Sequence, residues 1–259
     1  MQRMDVVEAL GRRVLTFLGH VVGALSLVAA ATRALPGLAQ RPVRLVLYRQ
    51  IYFTGVQALF VVTAIGLVLG VAIVAQVSSL AGRSSVLIGR ILVWTVVREL
   101  GPLFAAIIVI ARSGTAVAAE LGSMQVSGEI RSLRALGIPA ARYLVMPRIL
   151  GLSTSLLALL FFFQASAVFG GLALSSFLFD LSFRAQVDNL GAALSFFDLS
   201  LSLVKGVVFG FVIAAAACYH GLRVRASITE VPQAAARAVL EALILVVVID
   251  GVITVASLL

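Results

Sequence analysis

Three charged residues inside apolar runs are the side chains of this sequence best suited to chemistry within a membrane. Arg98 and Glu99 are adjacent in one run, and Lys205 lies roughly 9 Å into another. Charged groups in an apolar span are costly, so they usually face a bundle interior or a cavity. A cation in such a cavity suits the phosphate of an amphipathic anion. Arg98, Glu99 and Lys205 are therefore candidate substrate-binding residues.

Each of these residues also has a structural interpretation. Arg98 and Glu99 form an ion pair that locks helices, although neighbours on a helix point about 100° apart and are not expected to face each other. Glu99 is then expected to pair with a basic residue elsewhere, and Lys205 to extend to the membrane interface. Asp250, inside the last apolar run, is expected to make a structural hydrogen bond.

The composition predicts a polytopic membrane protein. The chain has 259 residues, of which 61% are apolar and 12% charged, with a mean hydropathy of +1.13. A soluble domain is about 45–50% apolar and about 25% charged, so a cytosolic enzyme and a secreted domain are excluded. The net charge of +9, carried almost entirely by Arg, indicates loops that face anionic lipid rather than nucleic-acid binding.

Several kinds of catalytic site lack their residues. There is no G-x-x-x-x-G-K-[ST] motif, so the chain is not expected to hydrolyse nucleotide, and no G-x-S-x-G motif. One cysteine and two histidines, Cys218, His20 and His220, do not make a metal or haem site of usual composition. We therefore expect no enzyme activity, metal or cofactor in this chain.

Long, continuous apolar runs favour membrane-spanning helices over β-strands. The five predicted spans are Ile51–Val77, Val86–Ala111, Ile149–Leu174, Leu199–Tyr219 and Val239–Leu258. A cytoplasmic N-terminus places 15 basic residues on the cytoplasmic side and three outside, which predicts an outer C-terminus. A shorter run, Val14–Ala31, predicts an interfacial helix, with a spanning helix and a signal peptide as the alternatives.

Small residues predict where these helices pack. Gly66 and Gly70 in the first span, and Gly206 and Gly210 in the fourth, have the four-residue spacing of close helix contacts. Pro102 is expected to kink the second span or to serve packing alone.

The segment 119–148, between the second and third spans, predicts a short amphipathic helix. Its apolar residues recur at helical spacing: Val126, Ile130, Leu133 and Leu136. Gly137 and Pro139 are expected to end it. Two interpretations remain open, a connecting helix on the lipid surface and a docking helix for a cytoplasmic partner.

Several stretches in order resemble the MlaE (YrbE) family of ABC-transporter permeases. They are R-E-L-G-P at 98–102, A-R-S-G at 111–114, A-A-E-L-G at 118–122, K-G-V-V-F-G at 205–210 and C-Y-H-G at 218–221. The resemblance covers Gln50 to Thr254. Gly128, where many members carry an acidic residue, and the 230–236 segment depart from the family pattern.

The resemblance implies one permease domain over 1–259, with an N-terminal segment 1–49 and a bundle 50–259. It implies a homodimer in the bacterial inner membrane that moves phospholipid to or from a periplasmic MCE-domain protein and maintains outer-membrane lipid asymmetry. A separate ATPase with ATP and Mg²⁺, and in some members a STAS-domain subunit, would bind in the cytoplasm. The residues expected to couple to the ATPase are Glu120, Met124, Glu129, Leu133, Leu136, Gly137 and Pro139.

Two other functions fit the residues. In a secondary transporter, Glu99 and Asp250 would relay protons or sodium, although no internal repeat supports this. A scaffold for an MCE complex would have no lipid-sized cavity. Dependence on an ATPase would distinguish an ABC permease from a secondary transporter. A lipid-sized cavity between subunits would distinguish a transporter from a scaffold.

Overall fold

The computed structural model describes residues 19–33, 35–81, 85–179, 182–225 and 227–258. Every regular element within these ranges is helical, which confirms the predicted all-α fold. Five of the described helices are long and apolar enough to cross a membrane, as predicted. We number them spans one to five: Arg41–Ser79, Gly89–Val126, Ala141–Phe177, Phe196–Leu222 and Glu230–Ala256.

The helices are numbered α1 to α11 in chain order. They are α1 (19–33), α2 (Arg41–Thr54), α3 (Leu59–Ala81), α4 (Ser85–Leu92), α5 (Gly101–Val109), α6 (Thr115–Val126), α7 (Glu129–Ala135), α8 (Met146–Phe179), α9 (Phe183–Ala193), α10 (Phe196–Leu222) and α11 (Glu230–Ala256). Short 3₁₀ turns are Leu35–Ala39 and Val56–Ala58, and π-helical turns are Val93–Leu100, Ile110–Gly114 and Ala141–Val145. Helix α7 precedes the long helix α8 and helix α9 follows it, so α7 and α9 lie at opposite ends of the bundle. We call these the α7 end and the α9 end.

The N-terminal helix α1 packs on span four. Ala24 is buried against Ala215 and Tyr219, and a Cβ on Gly23 would lie 2.3 Å from the Tyr219 ring. This helix covers most of the predicted interfacial helix, whose residues 14–18 lie outside the described residues. Its position in or across the membrane interface stays a prediction.

Four predicted boundaries are wrong by eight residues or more. Span three begins at Ala141 rather than Ile149, and span five begins at Glu230 rather than Val239. The helix of span one begins at Arg41 rather than Ile51, because Pro42 occupies its first turn, where the missing N–H costs no hydrogen bond. The helix of span two continues beyond Ala111 to Val126, since a π-helical turn carries the backbone through Gly114.

The amphipathic helix predicted after span two is also shorter than expected. Val126 is the last residue of α6, and Gly128, with φ of 79°, separates α6 from α7. A left-handed glycine is a common way to end a helix. Glu120 and Met124 therefore lie on α6, whereas Glu129 and Leu133 lie on α7.

Close contacts at glycine set the distance between neighbouring spans. A Cβ on Gly66 or Gly70 of α3 would lie 2.7 or 1.8 Å from a backbone carbonyl oxygen of α8. On Gly206 it would lie 2.9 Å from an α8 side chain, and on Gly210 2.6 Å from an α8 backbone atom. All four glycines thus lie where α3 or α10 crosses α8, in the geometry of small-residue membrane packing.

Candidate functional site

Lys205 is fully buried at the centre of a polar cluster between spans two, four and five. Its Nζ donates hydrogen bonds to Arg98 O (3.1 Å), Glu99 Oε2 (2.9 Å) and Thr254 Oγ1 (2.9 Å). Asp250 Oδ1 lies 2.8 Å from Nζ as an ion pair. An ammonium group has three N–H donors, so these hydrogen bonds use all of them. The expectation that Lys205 extends to the membrane interface is wrong.

Pro102 explains why the Lys205 ammonium meets span two at this position. Proline has no N–H, so neither the carbonyl of Arg98, four residues earlier, nor that of Val97, five residues earlier, receives a hydrogen bond from it. Lys205 Nζ donates to the first carbonyl and Gln164 Nε2 donates to the second at 3.0 Å. Side chains of spans four and three thus satisfy the backbone groups that Pro102 leaves without a donor.

The Thr254 hydroxyl completes the pairing of Glu99. It accepts a hydrogen bond from Lys205 Nζ and donates one to Glu99 Oε2 at 2.9 Å. Thr254 lies four residues after Asp250, so both side chains lie on the same face of α11. Thr254 was not predicted from the sequence, although its four-residue spacing from Asp250 was an available signal.

Arg98 faces the α9 end. Its Nη2 donates to Ser257 Oγ, Nη1 lies 3.8 Å from Asp198 Oδ1, and the guanidinium carbon lies 6.0 Å from the centre of the Phe197 ring. Its Nε is also 3.7 Å from Glu99 Oε1, which corrects the expectation that these neighbours do not face each other. Both side chains are long enough to turn towards each other. Asp198, Phe197 and Ser257 were missed because nothing in their local sequence links them to Arg98.

Arg98 is less completely paired than Lys205. Within the described part of the chain, its Nε is buried without a hydrogen-bond partner. Its separations from Asp198 and Glu99 exceed hydrogen-bond length. Arg98 therefore keeps unused hydrogen-bonding capacity, whereas an acceptor at Lys205 must displace an existing partner. Guanidinium groups suit phosphate because they present several N–H donors in one plane.

A pocket of about 520 Å³ opens at the α9 end next to this cluster. Its charged lining residues are Arg90 and Asp198, and its largest lining residue is Trp94, which is 57% exposed. Asp198 is shared with the Arg98 ion pair, so the pocket and the cluster are contiguous. A lining of this kind suits a ligand with both charged and apolar parts.

The predicted coupling residues lie at the other end of the bundle, around α7. Ile130 is fully buried and anchors the helix, whereas Leu136 is 75% exposed. Gly128 and Gly137, with φ of 79° and 74°, bracket α7, and neither meets a neighbour where a Cβ would stand. The helix therefore presents an apolar tip held by turns that favour glycine.

The remaining coupling residues differ in exposure. Glu120 is 55% exposed and its carboxylate lies 3.0 Å from Nη2 of Arg148, a buried side chain that sequence analysis did not single out. Glu129 accepts a hydrogen bond from the Ser127 hydroxyl at 3.0 Å. Met124 and Leu133 pack against the core, and Pro139 is exposed.

Several proteins are similar to this chain along most of its length. An ABC transporter permease protein of Rickettsia felis, named as probable, is 29% identical over 97% of each chain. The intermembrane phospholipid transport system permease protein MlaE of Haemophilus influenzae is 24% identical over 97% of each chain. The chloroplastic protein TRIGALACTOSYLDIACYLGLYCEROL 1 of Arabidopsis thaliana is 32% identical over 64% of this chain and 48% of its own.

The family described as "Permease MlaE" matches residues 47–256, most of the chain and all five spans but the start of the first. The match includes the Arg98–Lys205 cluster and α7, and it confirms the resemblance identified from the sequence. The chain is a membrane protein that belongs to the MlaE permease family.

Proposed function

We propose that this chain is the membrane permease subunit of an ABC transporter that moves phospholipid between the inner membrane and a periplasmic MCE-domain carrier. Membership of the MlaE family supports the permease role. The name of the Haemophilus influenzae relative, which specifies intermembrane phospholipid transport, supports the substrate. The observation that carries the proposal is an incompletely paired arginine, Arg98, beside an amphipathic pocket at the α9 end.

In this proposal Arg98 is the residue that contacts substrate. A lipid phosphate offers Nη1 an acceptor at hydrogen-bond distance, which Asp198 at 3.8 Å does not provide. Asp198, 3.8 Å from Nη1, offers a carboxylate to a cationic headgroup group such as an ammonium. Acyl chains then lie along Trp94 and the apolar pocket wall, so the two parts of a phospholipid meet surfaces of matching polarity.

Glu99 and Lys205 act as positioning residues. All three Lys205 donors are already used, so its contribution is to hold Glu99 and the Arg98 carbonyl at fixed positions. Arg98 and Lys205 carry two positive charges against three carboxylates, those of Glu99, Asp198 and Asp250. An anionic headgroup must therefore compete with Asp198 for Arg98, which favours reversible binding over tight capture.

The α7 end is proposed to face the cytoplasm and bind the ATPase, which supplies ATP and Mg²⁺ chemistry. Exposed Leu136 fits the pattern of an apolar anchor laid in a partner groove. Positive charge at this end, on Arg131 and Arg134 of α7 and on Arg142, supports the cytoplasmic assignment. The α9 end then faces the periplasm and the MCE protein. A second copy of the chain completes a homodimer. Its proposed role is to maintain the lipid asymmetry of the outer membrane. A STAS-domain subunit on the ATPase remains an optional further partner.

Affinity purification in mild detergent tests the proposal. We expect an ATPase and an MCE-domain protein in stoichiometric amounts, together with phospholipid, in mass spectra of the purified complex. The control is the same preparation from a strain that expresses the tag alone. Recovery of the chain without an ATPase, under conditions that preserve a known ABC complex, would overturn the ABC assignment and favour a secondary transporter. Recovery of an ATPase without phospholipid would instead overturn phospholipid as the substrate.

A further inference from the structure

Both histidines of the chain meet at one buried carboxylate. His220 Nε2 lies 2.6 Å from Glu241 Oε2, and His20 Nδ1 lies 3.5 Å from the same oxygen. The three residues come from three helices, α1, α10 and α11, and the histidines are 200 positions apart in the sequence. Their ligand atoms all lie within 4.8 Å of one another.

We propose that His20, His220 and Glu241 bind a divalent transition-metal ion, with Zn²⁺ as the best match. Two imidazoles and one carboxylate are a protein ligand set of zinc sites that keep a fourth position for water or another ligand. Two histidines alone are too few for a metal site, so the sequence predicted none. The buried glutamate supplies the third ligand.

The spacing of the ligand atoms fits this assignment after a small adjustment. Tetrahedral coordination at about 2.1 Å per ligand separates ligand atoms by roughly 3.4 Å. The His20–Glu241 separation of 3.5 Å already matches. The His220–Glu241 separation of 2.6 Å is that of a hydrogen bond, so the two groups must move apart to admit a metal ion. A neutral His220 then carries its proton on Nδ1 while Nε2 binds the metal.

The hydrogen bond with His220 satisfies only one oxygen of the buried Glu241 carboxylate. Its side chain is 5% exposed, and its Oε1 is buried without a hydrogen-bond partner in the described part of the chain. A buried carboxylate oxygen without a partner costs free energy. A metal ion compensates for that cost by adding positive charge next to the carboxylate. Tyr219 packs against both imidazoles, with ring centres 5.6 Å from His20 and 5.4 Å from His220, and restricts their orientation.

A cavity of about 320 Å³ connects this cluster to solvent. His20 and His220 line it, together with Glu230 and three arginines: Arg223, Arg225 and Arg237. The arginines are exposed and screened by salt, whereas His220 and Glu241 are buried. Positive charge around the opening favours a hydroxide or another anion as the fourth ligand. The cavity gives the metal an entry path.

Cobalt titration of the full-length chain tests the proposal without reference to transport. The protein is purified in detergent through a tag without histidine, stripped with a chelator and titrated with Co²⁺. We expect one bound Co²⁺ per chain with visible absorption of a four- or five-coordinate ion, displaced by Zn²⁺. We also expect Zn²⁺ to raise the thermal midpoint. Absence of stoichiometric Co²⁺ binding would overturn the proposal.

Two variants separate metal binding from a plain hydrogen bond. His20→Ala removes a half-buried ligand, and we expect at least about a tenfold loss of metal affinity, since even outer-sphere partners cost that much. Glu241→Gln keeps an acceptor for His220 but loses the charge, and we expect the same loss. Glu230→Gln changes a carboxylate of the same cavity outside the cluster and should bind normally. Equal Co²⁺ affinity in all three variants would contradict the assignment.

Discussion

Lys205 Nζ donates a hydrogen bond to the backbone carbonyl of Arg98, which lies 107 positions earlier in the chain. Pro102 leaves that carbonyl without its usual donor, so a buried cation serves both the backbone of span two and the Glu99 carboxylate. The charge cluster and the irregular helix of span two are therefore one structural unit.

Removal of Lys205 should destabilise the protein strongly. Lys205→Met leaves the buried Asp250 carboxylate without its cation and removes the nearer of the two cations from the partly buried Glu99, and breaking a buried ion pair in this way typically costs about 3–5 kcal/mol. The triple variant Lys205→Met, Glu99→Gln, Asp250→Asn removes the charges together and should recover most of the loss. Thermal unfolding in detergent measures both, and an unchanged midpoint for Lys205→Met would contradict the central position assigned to Lys205.

Gln164 and Pro102 should be energetically coupled. Gln164→Leu leaves the Val97 carbonyl without its hydrogen bond, at an expected cost of about 1–3 kcal/mol. Pro102→Ala restores an N–H to the same stretch of backbone, so the cost of Gln164→Leu should fall in that background. A double-mutant cycle on unfolding free energy measures the coupling. Additive effects would show that Gln164 does not compensate for the proline.

Gly70 should not tolerate a methyl group. Its Cβ would lie 1.8 Å from the Ala167 carbonyl oxygen, so Gly70→Ala forces α3 and α8 apart, at an expected cost of about 1–3 kcal/mol. Gly251→Ala is the matched control, because Gly251 also lies within a span and meets nothing within 4 Å. Similar midpoints for the two variants would argue against the close crossing.

Arg98→Ala should impair lipid handling more than folding. Loss of a charge-assisted hydrogen bond to phosphate corresponds to about a tenfold or greater loss of affinity. Copurified phospholipid and lipid transfer in proteoliposomes measure the effect, with the melting temperature as a check on folding. Arg184→Ala changes an exposed arginine at the same end and should leave both the copurified phospholipid and lipid transfer unchanged. Unchanged lipid content and transfer in Arg98→Ala would remove its headgroup role.

Leu136→Asp should uncouple the permease from its ATPase. Leu136 is 75% exposed, so the substitution leaves the core intact while placing a charge on the apolar tip of α7. We expect weaker ATPase copurification and loss of lipid-stimulated ATP hydrolysis. Leu136→Met keeps the apolar contact and should behave as the unmodified protein. Full coupling in Leu136→Asp would mean that this tip does not dock the ATPase.

Leu133 and Glu129 serve this test less well, although the family resemblance implies that both couple to the ATPase. Leu133 packs against the core, so Leu133→Asp combines a folding defect with any loss of docking. Glu129→Lys changes only an exposed carboxylate that accepts a hydrogen bond from Ser127.

The five spans could be predicted because each is a long apolar run, which is a local property of the sequence. The exact helix ends could not. The helix of span two continues through the π-helical turn at Ile110–Gly114 and ends at Val126, just before the left-handed Gly128. Both depend on backbone geometry that hydrophobic periodicity does not report.

Partners of charged residues were the harder part of the site. The sequence indicated that Arg98, Glu99, Lys205 and Asp250 occupy costly positions. It did not indicate that Lys205 contacts the side chains of Glu99 and Asp250, because these contacts span up to 106 positions. The meeting of His20 and His220 across 200 positions was invisible for the same reason.

The contact between Arg98 and Glu99 bears on how the chain enters the bilayer during synthesis. Span two emerges from the ribosome before Lys205 and Asp250 exist, and one charge at a helix centre costs about 2.5–3.5 kcal/mol on insertion. The side chains of this adjacent pair lie 3.7 Å apart, so opposite charges enter together. When span four is inserted, Lys205 meets the Glu99 carboxylate, which is already in the membrane. Asp250 of span five then meets Lys205. Biogenesis in chain order thus supplies each later charge with a partner inserted earlier.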